Sequence, residues 1–172
     1  QSSAVANRPL QVALTFDDGP HQTCTPALLN GLKQRGVKAT FFLMGENIAG
    51  KEPLVQRMQA EGHLIGNHTF HHVQLTKVSE EEAREEVVKT SNAIYEITGE
   101  YPVYIRPPFG EWREGLDLAV TMIPVLWDVD SRDWESQNTA SICSEVLPNV
   151  KDGSIILMHD GYRATVEALR RI

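Results

Sequence analysis

Short apolar runs alternate along this chain with longer amphipathic stretches. The apolar runs predict β-strands, and the amphipathic stretches predict helices. The predicted strands are Gln11–Phe16, Ala39–Met44, His63–Gly66, Tyr104–Arg106, Ile123–Asp128 and Ser154–Met158. The predicted helices are Thr25–Gln34, Pro53–Glu61, Glu80–Thr98, Arg113–Leu118, Thr139–Asn149 and Tyr162–Arg171. Repeated alternation of strand and helix is typical of a parallel sheet or barrel, so we expect an α/β fold.

The stretch Glu80–Thr98 carries the strongest helix signals in the chain. Ser79 followed by Glu82 forms a capping box at its start. Gly99 follows its last residue, where glycine commonly ends a helix. Apolar residues recur at helical spacing as a stripe of Ala83, Val87, Ile94 and Ile97. This segment therefore predicts one long amphipathic helix.

Two adjacent carboxylates, Asp17 and Asp18, follow the first predicted strand, and Gly19-Pro20 then turns the chain. Carboxylates at the carboxyl ends of strands are where α/β enzymes place their chemistry. Side chains alternate along a strand, so the two carboxylates can face different directions. Taken alone, the segment is equally compatible with a solvated acidic turn.

Three of the six histidines fall within five positions, at His68, His71 and His72. On a helical turn, the i, i+4 spacing places the rings of His68 and His72 on one face, as in helices that hold zinc. Zinc favours histidine nitrogens with one carboxylate and an open position for water. Asp17 or Asp18 can supply that carboxylate. We expect His71 to point away, and an exposed polar turn is the alternative interpretation.

Three further polar clusters also follow apolar runs. They are Arg106–Gly110, Asp128–Trp134 and Leu157–Asp160. Each has a structural explanation by itself: a rigid proline turn, a helix cap, and a hydrogen-bonded histidine behind a buried strand. Five polar clusters at five strand ends in one short chain instead favour a single site at one edge of the sheet.

In their order, the five clusters resemble the motifs of the NodB-like polysaccharide deacetylases, carbohydrate esterase family four. They read Thr-Phe-Asp-Asp-Gly-Pro, His-Thr-x-x-His, Arg-Pro-Pro-Phe-Gly, Asp-Ser-x-Asp-Trp and Leu-Met-His. The resemblance runs from about Gln11 to Ile172. It implies a distorted (β/α) barrel of about seven strands and a metal-dependent enzyme that removes acetyl groups from polysaccharides.

The resemblance also implies a role for each site residue. Asp18, His68 and His72 would hold one divalent metal, most simply zinc, with cobalt as an alternative. Asp17 would be the general base, although the residues alone allow the two aspartates to exchange roles. Arg106 would pair with Asp17, and the backbone N–H of Phe109 would be an oxyanion donor. His159 would be the general acid, with Asp133 as its partner and Asp130 as the second choice. Trp134 and Leu157 would form the pocket for the acetyl methyl group and the sugar.

Two positions depart from the family pattern. Val73 stands where a proline usually follows the second metal histidine, and Phe109 stands where a tyrosine is more common. The proline shapes a loop and binds nothing. The loss of the tyrosine hydroxyl is tolerated if only the backbone amide of Phe109 acts on the substrate.

The size, composition and charge of the chain limit the kinds of partner that we expect it to bind. The chain has 172 residues, enough for one domain with a full core, with 41% hydrophobic and 23% charged residues. Its net charge of −7 argues against nucleic acid, because phosphate binding favours a basic face. No apolar run approaches the length of a membrane span. No signal peptide is visible, and a cleaved one would leave the same sequence.

From these features we expect residues 1–8 to be a linker and residues 9–172 to form the catalytic domain of a monomer. The resemblance implies an extracellular or cell-envelope location. We expect the barrel either to be open towards its C-terminal side or to be closed by residues beyond Ile172. Cys24 and Cys143 fit no metal motif, and we favour two free thiols over a disulfide because Cys143 lies among apolar residues of a predicted helix.

The substrate is the least determined feature. Polymers of N-acetylglucosamine, such as peptidoglycan or chitin oligomers, are the first choice, and acetylated xylan is the alternative because amide and ester cleavage can share this machinery. A carbohydrate-binding homologue without activity is a second class, but every catalytic position is filled. A phosphate-ester metallohydrolase would need a second metal or a basic clamp, which the sequence does not show.

Overall fold

A computed structural model of the chain describes Pro9, residues 11–118 and residues 121–172. The predicted linker at residues 1–8 lies outside this part. Seven strands form one parallel sheet: β1 (Ala13–Gly19), β2 (Thr40–Leu43), β3 (Leu64–Asn67), β4 (Tyr104–Ile105), β5 (Ile123–Pro124), β6 (Val129–Asp130) and β7 (Ile155–His159). The described residues also form six α-helices: α1 (Cys24–Arg35), α2 (Glu52–Ala60), α3 (Glu80–Thr98), α4 (Asp133–Ser136), α5 (Thr139–Val146) and α6 (Arg163–Leu169).

The sheet has the strand order β5-β4-β3-β2-β1-β7-β6 and curls into a half-barrel. All of its pairings are parallel. This confirms the predicted α/β barrel of seven strands. Within the described residues its edges are β5 and β6, whereas the C-terminal strand β7 is paired on both sides.

Alternate residues of β1 face different layers. Leu14 and Phe16 belong to the main hydrophobic core beneath the helices, together with Leu28 and Leu29 of α1. Thr15 and Asp17 alternate with them and face the other layer, where both bind the side chain of Arg106. The strand is buried on both faces, as expected for a central strand of a parallel sheet.

The predicted strand Ile123–Asp128 is wrong beyond its first two residues, because β5 ends at Pro124 and β6 begins only at Val129, after an irregular segment. Arg106 donates hydrogen bonds to the carbonyl oxygens of Val125 (3.3 Å) and Leu126 (3.0 Å). These carbonyls are therefore satisfied by a side chain rather than by a neighbouring strand. The sheet opens where this guanidinium replaces the strand pairing.

The predicted helix Arg113–Leu118 is also wrong, since this segment consists of turns and irregular backbone. Gly115 has φ +77°, a conformation outside the right-handed helix. Arg113 reaches away to the carbonyl oxygens of Leu75 and Val78. The left-handed residue is incompatible with a continuous right-handed helix, and the Arg113 side chain ties the segment to the loop before α3.

The helix α3 confirms its predicted bounds and caps. The Ser79 hydroxyl accepts a hydrogen bond from the Glu82 N–H at 3.1 Å, and Gly99 is left-handed. The two cysteines are free and buried, as expected. No helix of the described residues is both long and apolar enough to cross a bilayer.

Candidate active site

The end of β1 places both aspartates on the same side of the barrel. Asp17 pairs with Phe42 of β2 and Gly19 pairs with Leu43, so Asp18 is an extra, bulged residue. Asp18 has φ 72°. A bulge redirects side chains at the end of a strand. The alternation expected for a regular strand is therefore broken where the two carboxylates are needed together.

The two histidines of the second motif are brought together by a loop, not by the helical turn that their spacing predicted. Residues 68–72 contain no helix. Thr69 (φ 63°) and His72 (φ 58°) are left-handed, and for residues other than glycine such conformations cost about 1–3 kcal/mol each. The rings of His68 and His72 nevertheless lie 4.9 Å apart. Surrounding contacts must therefore impose this loop conformation.

Asp18, His68 and His72 form a cluster that fits a metal ion. One ligand atom from each lies within 4.8 Å of the others. The Asp18 Oδ1 atom is 3.1 Å from Nε2 of His68 and 3.6 Å from Nε2 of His72, and it is buried with no hydrogen-bond partner among the described residues. The Nδ1 atom of His68 donates to the carbonyl oxygen of Arg106 at 2.6 Å. This leaves a lone pair on Nε2, which faces the carboxylate and calls for a cation between them.

The pKa shifts of the three residues also favour a cation in this cluster. Burial tends to lower the pKa of His68, but the charges of Asp17 and Asp18 outweigh it and raise that pKa above its usual value. Burial tends to raise the pKa of Asp18, yet the close contact and the charge of His68 hold it below its usual range. The pKa of His72 is lowered, first by burial and then by the charge of His68. The site thus favours a positive charge beside Asp18, and a metal must displace a proton to take that place.

Asp17 is held by Arg106 and is set apart from the cluster. Nη1 of Arg106 donates to Asp17 Oδ1 at 2.8 Å and to the Thr15 hydroxyl at 2.7 Å. The second oxygen, Oδ2, lies 3.8 Å from Nε2 of His68. The pair is buried, with Arg106 fully inaccessible to solvent. One carboxylate oxygen is therefore oriented by the guanidinium while the other faces the site.

His159 at the end of β7 pairs with Asp133 at the start of α4. Asp133 is fully buried and accepts from Nδ1 of His159 at 2.7 Å, from the His159 backbone N–H at 2.6 Å and from the Thr165 hydroxyl at 2.7 Å. Burial alone would lower the pKa of His159, but the hydrogen bond and charge of Asp133 raise it to about 9. Asp130, the second choice for this partner, instead accepts from the Arg132 backbone N–H.

One cavity of about 310 Å³ is lined by both aspartates, by the two clustered histidines and by His159, whereas Arg106 and Asp133 are fully buried behind them. Phe109 is 64% exposed, has φ 61° and packs edge-on against the ring of His72 at 5.0 Å. Trp134 is half exposed, and Leu157 forms a buried part of the wall. A larger cavity of about 570 Å³ lies between α1 and α6, away from these groups. Chemistry rather than size therefore locates the site.

Two acidic residues beside the site were not assigned from the sequence. Asp160 is buried after His159, where it accepts from the Thr25 hydroxyl at 2.6 Å. Its position directly after a motif histidine was the available signal. Glu86 is buried on α3 and binds the backbone of the histidine loop. A charged residue beside Val87 of the apolar stripe was the signal in that case.

The parallel half-barrel thus carries an Asp–His–His cluster and an Asp–His pair on one rim. The chain belongs to the polysaccharide deacetylase family, whose model matches residues 5–122. This confirms the family that the five motifs indicated.

Named relatives and solved structures agree with this membership. The chain is 44% identical to the peptidoglycan-N-acetylglucosamine deacetylase of Bacillus cereus, covering 94% of this chain and 62% of that protein. It is 39% identical to the peptidoglycan-N-acetylglucosamine deacetylase PgdA of Listeria monocytogenes, over 92% of this chain and 34% of that protein. The structure of peptidoglycan deacetylase PdaC from Bacillus subtilis matches with a TM-score of 0.90 and 37% identity, over 95% of this chain and 81% of that one. The chain thus spans about a third of the Listeria relative and less than two thirds of the Bacillus cereus one.

Proposed function

We propose that this protein is a metal-dependent hydrolase that removes acetyl groups from a polysaccharide, with N-acetyl groups of N-acetylglucosamine polymers as the first choice. One observation carries the proposal. The cluster of Asp18, His68 and His72 shares a single cavity with Asp17 on one side and His159 on the other. Hydrolysis of an amide needs an activated water, a stabilised oxyanion and a protonated leaving group, and this cavity holds a candidate for each.

Asp18, His68 and His72 would hold one divalent metal, with zinc as the first choice and cobalt as the alternative. Their donor set of two imidazoles and one carboxylate leaves coordination open for other ligands. The bound cation would polarise the acetyl carbonyl and lower the pKa of water. The Arg106 carbonyl would keep His68 in the tautomer that presents Nε2 to the metal.

Asp17 would accept the proton of the attacking water. Its Oδ1 atom is bonded to Arg106, which orients the carboxylate and leaves Oδ2 facing the cavity. Asp18 is less suited to this role, because its Oδ1 atom lies between the two histidine nitrogens. This difference supports the assignment that the residues alone left open.

His159 would donate a proton to the leaving nitrogen. Its Nδ1 is bonded to Asp133, so Nε2 is the nitrogen available to the substrate. A pKa of about 9 keeps the ring protonated at neutral pH. The water oxygen would bond to the acetyl carbon, and the carbon–nitrogen bond would then break. Acetate and an amine would be released. The backbone N–H of Phe109 would help to stabilise the oxyanion, and Trp134 and Leu157 would contact the sugar ring and the acetyl methyl group.

The relatives' names support the substrate class, since both are called peptidoglycan-N-acetylglucosamine deacetylases. A polymer of this kind lies outside the cell membrane. We therefore propose an extracellular or cell-envelope location. Exposed aromatic faces at Phe109 and Trp134 suit the apolar face of a sugar.

The proposal is tested by measuring acetate release from peptidoglycan, chitooligosaccharides and acetylated xylan, with and without a chelator. We expect release from the N-acetylated polymers, its loss with the chelator, and its recovery when zinc is restored. Preference for acetylated xylan would make the enzyme an esterase. Binding of these polymers without any release of acetate would instead indicate an inactive carbohydrate-binding homologue.

A further inference from the structure

The loop between the two candidate metal histidines is held from outside the metal cluster. Two of its five residues, Thr69 and His72, have left-handed backbone conformations that are unusual for residues other than glycine. Such conformations persist where the surrounding contacts leave the backbone no alternative. The backbone partners of this loop therefore decide where Nε2 of His72 lies relative to His68.

Glu86 of α3 supplies the central contacts. Its Oε2 atom accepts hydrogen bonds from the backbone N–H groups of Phe70 at 2.9 Å and His71 at 2.7 Å. Its Oε1 atom lies 2.6 Å from Nδ1 of His71. Glu86 is 7% exposed, and both of its carboxylate oxygens contact this loop. The two backbone bonds fall on consecutive residues, directly before His72.

The helix that carries Glu86 is itself tied to the strand that directly precedes His68. The side-chain amide of Asn67, the last residue of β3, donates to the carbonyl oxygen of Val87 at 2.8 Å. The Asn67 side-chain oxygen accepts from the Thr69 backbone N–H at 2.8 Å. Both parts of the loop are thus connected by hydrogen bonds to the same turn of α3, Thr69 through Asn67 and the next two residues through Glu86. A shift of Glu86 would move His72 while His68 stays with β3.

We propose that Glu86 is a positioning residue of the metal site, which holds the backbone between His68 and His72 so that both imidazoles reach one cation. This role rests on the proposed ligand set. Glu86 does not touch the cation, because its two oxygens are engaged by the loop. Its contribution is to metal affinity, through the spacing of the two histidines.

The test is a zinc titration of the whole protein in Glu86→Ala, with Glu85→Ala as the matched control. Glu85 is the neighbouring residue of the same helix, and it is exposed. We expect Glu86→Ala to bind zinc at least about tenfold more weakly, the lower end of the range for groups that orient metal ligands. Glu85→Ala should bind as the wild type does. Glu86→Gln should fall between them, because one amide oxygen can still accept both backbone bonds.

Activity at saturating zinc distinguishes positioning from a general loss of structure. Zinc in excess should restore most of the turnover of Glu86→Ala, since the catalytic groups are intact. Wild-type affinity in Glu86→Ala, or turnover that excess zinc cannot restore, would overturn the proposal. If Glu86→Ala does not fold, Glu86→Asp replaces it in the titration. This variant keeps the charge, but its side chain is one methylene too short to hold both N–H groups. Zinc affinity equal to that of the wild type in Glu86→Asp would equally overturn the proposal.

His72→Ala separates this inference from the ligand set on which it rests. Loss of zinc in His72→Ala, together with unchanged affinity in Glu86→Ala, would remove the role of Glu86 and leave the proposed function standing. Full zinc occupancy in His72→Ala, or no zinc binding by the wild type, would refute the ligand set and this role with it.

Discussion

Arg106 joins the two halves of the site through different parts of one residue. Its side chain donates to Asp17 and to the hydroxyl of Thr15, while its backbone carbonyl accepts from His68. The guanidinium also lies over the ring of Phe42, 4.5 Å from its centroid. A buried charge is tolerated when it is paired and hydrogen-bonded in this way. The same residue therefore orients the proposed base and fixes the tautomer of a proposed metal ligand.

The two adjacent aspartates should fail differently when changed to asparagine. Asp17→Asn keeps the shape of the site but removes the base, so we expect metal to stay bound while turnover falls by ~10²–10⁴-fold. Asp18→Asn should weaken metal affinity, and excess metal should partly restore turnover. Metal content and turnover measured for both variants check this. If metal restores Asp17→Asn instead, the two roles are exchanged.

The pH dependence of turnover should report the His159–Asp133 pair. Activity needs His159 protonated, so the rate should fall as pH rises through its pKa. That pKa is about 9 in the metal-free protein. A bound cation lowers it by repulsion, which places the basic limb above ~6.5, the ordinary value for histidine, and below 9.

Asp133→Asn tests this pairing directly. The loss of the negative charge should move the basic limb to lower pH and reduce the rate at neutral pH, while metal content stays unchanged. A basic limb identical to that of the wild type would exclude Asp133 as the partner. In His159→Ala the limb should vanish with the metal retained, and a persisting limb would belong to another group.

At the scale of elements, the site is built where regular structure ends. The bulge at Asp18, the loop 68–72 and the turn at Phe109 all contain residues other than glycine with positive φ. The strands and helices behind them hold these segments in place. One example is Gly45, where a Cβ atom would collide with the ring of Phe70. Contacts with the rigid strands and helices thus stabilise the unusual backbone conformations at the rim.

Removal of the N-cap of α3 should destabilise the protein without altering the metal site. In Ser79→Ala the hydrogen bond to the Glu82 N–H is lost. We expect the free energy of unfolding to fall by about 1 kcal/mol, with zinc affinity within twofold of the wild type. Denaturant unfolding and a zinc titration measure the two quantities. Ser144→Ala, inside α5, is the control, and an equal loss of stability there would contradict a capping role.

At the scale of the whole molecule, Asp160 ties the C-terminal strand β7 to the first strand and first helix. Its backbone N–H donates to the carbonyl of Asp17, and its Oδ1 atom accepts from Thr25 of α1. The other oxygen, Oδ2, is buried without a hydrogen-bond partner among the described residues. A Cβ atom at Gly19 would collide with this carboxylate. Residues from both ends of the chain therefore meet around one poorly solvated acid.

Asp160 should make stability depend on pH. Burial raises its pKa from 3.8 to about 7, against the opposing hydrogen bond from Thr25. Between these values the unfolded chain releases a proton that the native protein keeps, so stability falls as pH rises through this window. The loss amounts to a few kcal/mol, since one pKa unit is about 1.4 kcal/mol.

Asp160→Asn removes this titration. The free energy of unfolding of the variant minus that of the wild type should therefore be larger at pH 8 than at pH 4. Denaturant unfolding of both proteins in a chelating buffer measures the difference. A stability difference between them that does not vary with pH would show that Asp160 does not titrate in this range.

Much of the fold could be predicted because the signals act over a few residues. The bounds of α3 follow from a cap, a stripe and a terminal glycine. The helix predicted at Arg113–Leu118 failed where Gly115 turns left-handed and the Arg113 side chain bonds to carbonyls 35 and 38 residues away. The strand predicted over Ile123–Asp128 failed for the same reason, since the partner of its carbonyls is Arg106.

The sequence by itself determined the strand–helix alternation, the family, and the set of residues at the strand ends. The tertiary structure decided their geometry: which aspartate faces the histidines, which carboxylate pairs with His159, and how a loop replaces the helix between His68 and His72. Local periodicity and caps need only neighbouring residues, and a sequence displays them. The contact of Arg106 with Asp17 joins residues 89 positions apart, and only the folded barrel brings them within 2.8 Å.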